Sequence, residues 1–140
     1  MALRRFALVF GIVFLIIGAA GFIPGMVSPH SHPDVSVTTG LGLELSLFPI
    51  NVLHNIVHLL FGVWGLMAAR SDAGARAYGK AVAIIYALLT VMGLVPALRL
   101  HTTFGLVPLY GNDIWLHALL AIVAGYFGFV HRSQDVGARA

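Results

Sequence analysis

The sequence predicts an all-α protein, a four-transmembrane-helix bundle, on three observations. Only 9% of its 140 residues are charged and 59% are hydrophobic, where a soluble domain carries about 25% charged residues. Four apolar stretches each have spanning length, with none of the period-two alternation of a barrel strand. The basic residues fall almost entirely at alternate ends of those stretches. Eight basic against five acidic residues leave too little charge to coat a soluble surface, and the absence of cysteine excludes a disulfide scaffold. The basic residues are scattered without aromatic interleaving, so no nucleic-acid partner is expected.

The spans are expected at about 6–23, 49–69, 78–98 and 113–130, making residues 1–140 a single integral membrane domain. In lipid a bare backbone is satisfied only by a helix or a closed barrel. Arg4 and Arg5 followed by an apolar run resemble a secretory signal, but the run is longer than a signal core and is taken as a retained helix. Arg4, Arg5, Arg70, Arg76, Lys80, Arg132 and Arg139 lie on one side, with Arg99 alone on the other. Both termini are therefore expected in the cytoplasm, with loops 24–48 and 99–112 facing outward. Ser71 or Asp72 is expected to cap the third helix, and Pro49 to mark the start of the second. The stretch GLGLELSL at 40–47 alternates, as a short strand would, or extends onto the second helix.

The halves read as two duplicated helical hairpins. GFIP at 21–24 and GLVP at 93–96 close the odd-numbered spans, and HNIVHLLFG at 54–62 aligns with DIWLHALLA at 113–121. Two hairpins in the same orientation imply a pseudo-two-fold axis along the membrane normal.

The chemistry lies in the histidines. His54 and His58 are four apart on the second helix, and Asp113 and His117 have the same spacing on the fourth, so each pair shares a helix face. Ionisable groups at membrane depth face the bundle interior and mark function by default. His54, His58, His117 and Asp113 together form a ligand set for a divalent metal, with zinc the first choice and iron or copper compatible. Asn51, Asn55 and Asn112 are placed to orient those ligands. Counting from the basic ends puts His54 level with His117, whereas the duplication pairs His58 with His117. A metal between all three accommodates either.

The alternative cofactor is a b-type haem, with His58 and His117 (or His54 and His117) as axial ligands and Gly62, Gly65 and Gly125 leaving room for the macrocycle. The plain alternative is hydrogen-bonding glue between helices, with Asp113 as an N-cap. His30, His32 and Asp34 form a weaker candidate for metal capture, and His101 is taken as a loop residue near headgroups. His131 is read as an interfacial anchor, and Gly11, Gly18, Gly21, Gly62, Gly65, Gly125 and Gly128 as close-packing positions. No phosphate-binding glycine loop, GxSxG or HExxH occurs, and the prolines fall at span ends rather than in the broken midplane helices of a transporter. A homo-oligomer or a membrane-protein partner stays open.

Over SVTTGLGLELSLFPINVLHNIVHLLFGVWGLMAAR at 36–70 the chain resembles the domain-of-unknown-function 4383 family of bacterial four-helix membrane proteins. Its pattern LHNIVHLLFGxxGL stands at Leu53–Leu66, GFIPG stands at Gly21–Gly25, and DNWLH appears as Asp113–His117. Ile114 departs from the last pattern, where the family often has asparagine, so no polar support is expected there. The resemblance implies a multi-pass protein of the bacterial inner membrane with His54, Asn55, His58, Asp113 and His117 as shared polar residues. It implies no activity.

Overall fold

A computed structural model describes residues 1–131; Arg132 and Arg139, used above for topology, lie outside the described residues. The chain is mostly helical: α1 (Ala2–Ala20), α2 (Val52–Ala68), α3 (Asp72–Gly93) and α4 (Asn112–Gly125), the last continuing through a wider helical turn to Val130. Three helical segments, Ala2–Ala20, Asp72–Gly93 and Asn112–Val130, are long and apolar enough to cross a membrane. α2 is a shorter apolar helix. These lengths fit a small membrane protein. Leu8, Ile12, Ile16, Leu60, Val63, Ile84, Leu88, Leu119 and Ile122 all point outward, as is compatible with contact with lipid.

The element boundaries shift from the sequence expectations for local reasons. Ser71 caps α3 by accepting from the Gly74 amide at 3.0 Å, which pulls that helix back to Asp72, well before residue 78. Its end comes at Gly93, five residues short of the expected limit. Pro49 does not start α2; it sits in a strand, and Asn51 caps the helix by accepting from the His54 amide at 3.0 Å. Asp113 is no N-cap either: Gly111, at φ 66°, holds that position without a side-chain bond.

α1 packs chiefly on α2 and α3 on α4, whereas α2 and α4 scarcely touch. Glycines set the close approaches. A Cβ on Gly65 would come 2.7 Å from the Gly11 Cα and 3.0 Å from the Ala7 carbonyl oxygen. In the second hairpin a Cβ on Gly79 would come 3.2 Å from the Ala124 carbonyl. The other pairing recurs as well. Gly21 accommodates the side chain of Asn55, and Gly93 accommodates that of Ile114, the two positions that the aligned motifs put in register. Between the hairpins lies a core of Leu3, Phe6, Phe14, Tyr78, Val82, Tyr86 and Ala124.

The loops between α1 and α2 and between α3 and α4 form a cap over one end of the bundle. In the first, β1 (Val27–Pro29), β2 (Gly42–Glu44) and β3 (Phe48–Ile50) form an antiparallel sheet in the order β1-β2-β3. The alternating stretch is thus a strand, closed by a turn at Leu45 and Ser46 with φ of 52° and 60°. The second loop folds into tight turns over Ala97–Gly105. The Ser36 amide donates to the Gly105 carbonyl at 2.8 Å, and the Asn51 Nδ2 donates to the carbonyls of both Val37 and Leu106 at 3.0 and 2.7 Å. These bonds stitch the two loops together.

Candidate functional site

Directly beneath the cap, the first turns of α2 and α4 face each other. His54, Asp113 and His117 are 3, 2 and 1% exposed, and one potential ligand atom from each lies within 4.8 Å of the others. His117 Nε2 stands 3.5 Å from Asp113 Oδ2. Four-residue spacing on a helix puts this pair on one face, and the edge of the Tyr86 ring, 4.8 Å from His117 between centroids, fixes the imidazole. The His54 ring lies 6.0 Å from that of His117. His58 is one turn along α2, its ring 4.4 Å from His54 and 5.6 Å from Phe14. It lies beside the three-residue group and not within it. The pair in ring contact across the bundle is thus the one that counting from the basic ends puts level.

The hydrogen-bonding state of these side chains is unusual. Buried polar groups in folded proteins nearly always have a partner. Among the described residues the Nδ1 atoms of His54, His58 and His117, Asp113 Oδ2 and both side-chain polar atoms of Asn55 are buried without one. Each such group costs about 1–3 kcal/mol if left unmade. Interhelical glue would have joined them to one another. The Pro49 backbone carbonyl lies near the His54 ring, the kind of group that orients a metal-ligating imidazole.

The three asparagines are used differently. Asn51 is committed to the α2 cap and the loops, and Asn112 donates from Nδ2 to the Leu47 carbonyl at 3.3 Å. Asn55, fully buried against Gly21, has its amide to spare. Two of the three glycines expected to make room for a macrocycle are occupied otherwise. Gly62 lies against Leu15 and Gly65 against Gly11, so α1 fills that space.

A cavity of about 70 Å³ opens beside the cluster, lined among others by Phe48, His58, Asp113, His117 and Glu44. It is far smaller than the roughly 300 Å³ at the lower end of pockets for drug-sized ligands. Water needs about 10–15 Å³ of such space, so an ion with its waters fits.

Glu44 is the residue that the sequence did not single out. It is 3% exposed, and burial raises its carboxyl to about 7. Gly42 and Glu44 are buried along β2 with Leu43 half-buried between them, and Leu45 and Leu47 in the turn that follows are exposed.

His54, Asp113 and His117 together could hold a metal ion. Neither a curated protein nor a solved structure matches the chain. The family model described as Domain of unknown function (DUF4383) does match, over residues 4–130. By that match, and in agreement with the LHNIVHLLFG and DIWLH motifs, the chain belongs to the DUF4383 family.

Proposed function

We propose that this protein is a four-span protein of the bacterial inner membrane that binds a divalent metal near the outer leaflet, using His54, Asp113 and His117, with His58 beside them one turn along α2. Both termini lie in the cytoplasm on this reading, since the basic residues flank that side. Zinc suits the mixed imidazole and carboxylate donors best, and iron and copper accept the same donors.

The observation that carries the reading is the buried group His54, Asp113 and His117, with one potential ligand atom of each within 4.8 Å of the others. Coordination gives Asp113 Oδ2 the partner it lacks. Zinc bonds of 2.0–2.2 Å in a tetrahedron separate neighbouring ligand atoms by roughly 3.3–3.6 Å, and the Asp113–His117 separation is 3.5 Å. Asp113 is also free for the task, because Gly111 holds the N-cap position.

The metal serves as a cross-link. α2 and α4 scarcely touch, so an ion held by His54 from one hairpin and by Asp113 and His117 from the other joins the two. Three protein ligands leave a fourth position for water.

Elemental analysis of the purified protein after a brief chelator wash tests this. One equivalent of metal per chain that His117→Ala and Asp113→Ala both lose is expected. Metal content unchanged by either substitution contradicts it, and a Soret band that disappears with His117→Ala would assign the same residues to haem.

A further inference from the structure

A second cluster lies in the cap itself, remote in sequence from the bundle histidines. His32 and Asp34 come from the loop before α2, and His101 from the turns before α4. One potential ligand atom from each lies within 4.8 Å of the others. We propose that these three residues form a second divalent-metal site, one that clamps the two loops.

The geometry supports it at each residue. His101 Nε2 stands 3.4 Å from Asp34 Oδ2, again the spacing of neighbouring ligands around a tetrahedral ion. The His101 side chain is 10% exposed and its Nδ1 has no partner. The residues around it adopt strained backbone to turn it in: Leu98, Arg99, Thr103 and Phe104 all have φ between 48° and 59°. His32 lies edge-on to His101 at 5.4 Å and is stacked on Tyr110 at 4.3 Å. The Tyr110 hydroxyl is in turn 3.1 Å from His30 Nε2, so the His32 ring is fixed from behind. Its Nδ1 accepts the Asp34 amide at 3.2 Å, a long bond that commits the lone pair lightly.

Two features distinguish this site from the bundle site. It is accessible, with the Asp34 side chain 37% exposed, so it exchanges its ion with the surrounding water. It also has a competitor. Arg99 Nε stands 3.7 Å from Asp34 Oδ1 with its side chain 54% exposed, and an exposed pair of that length contributes little. An incoming cation displaces the guanidinium at small cost. The ligand class is a divalent ion that accepts imidazole nitrogen and carboxylate oxygen together, such as zinc or cobalt. Three protein ligands leave a position for water.

Cobalt(II) titration of the metal-stripped full-length protein, followed by visible absorption and calorimetry, tests the proposal. Two equivalents should bind to the unmodified chain, the weaker of them lost in both Asp34→Asn and His32→Gln. Asp34→Asn keeps the shape of the side chain, and His32→Gln provides a second chain should the first fold poorly. His117→Ala should leave the weaker equivalent in place. A weaker equivalent that persists in both loop variants, or no second equivalent at all, overturns the proposal.

Discussion

The carboxylate of Asp113 stands 3.5 Å from Nε2 of His117, one turn along α4, and neither side chain is more than 3% exposed. In water such a pair would be ordinary helix decoration worth a few tenths of a kcal/mol. Beneath the cap it lies beside His54, and the three residues together could hold a metal ion.

If the metal joins the hairpins, removing it should loosen the bundle. An ion present at 100 times its dissociation constant stabilises the folded state by about 2.7 kcal/mol. Thermal unfolding in detergent should therefore shift down on chelation in the unmodified protein. In the Asp34→Asn background, which lacks the loop site, His117→Ala should show no further shift on chelation.

Asn55 offers a second test. Both polar atoms of its side chain are buried and unpartnered, and the equivalent position in the other hairpin is Ile114. Asn55→Leu removes two costly groups, so thermal stability of the metal-free protein should hold or rise. Among the described residues its amide hydrogen-bonds none of the candidate ligands, so metal affinity measured by calorimetry should be retained along with the fold.

Glu44 predicts a pH dependence. Its carboxyl is raised to about 7 from 4.5 because burial disfavours the charged form. A raised folded-state value means that the associated stability is fully present below 4.5 and is lost as pH rises through 7. Melting temperature of the metal-free protein should fall across this window, and Glu44→Gln should remove that part of the slope. Equal slopes in the two proteins would rule out the assignment.

The glycine contacts separate close packing from mere smallness. A Cβ at Gly65 would lie 2.7 Å from the Gly11 Cα, and backbone cannot move aside cheaply. Gly65→Ala should cost about 1–3 kcal/mol through overpacking. At Gly125 the nearest atom is the Ala83 Cβ at 3.7 Å, so Gly125→Ala should be neutral or gain up to about 1 kcal/mol in helix propensity. Paired thermal melts compare them.

Much of this was legible before any coordinates. Scarce charge and long apolar runs announce helices in lipid, and Ser71 announces a cap because its hydroxyl can reach the Gly74 amide. The spacing of His54, His58, Asp113 and His117 announces two helix faces, though not which atoms meet. That His58 lies beside the grouped atoms depends on helix rotation, which periodicity does not specify. Pro49 misleads as a helix start because a strand precedes the true cap at Asn51, and three-residue strands leave almost no pattern. Glu44 escapes notice because a three-residue strand gives no pattern that shows which face is covered. His101 and His32 are nearly 70 residues apart, and only the folding of both loops over the same end of the bundle brings them together.

X-ray absorption at the metal edge tests the central claim most directly, measured on the Asp34→Asn chain so that only the bundle site contributes. A first shell of nitrogen and oxygen near 2.0–2.2 Å is expected, with the multiple-scattering signature of at least two imidazoles that His117→Ala diminishes. A spectrum without imidazole, or one unchanged by His117→Ala, would contradict metal binding between the two hairpins.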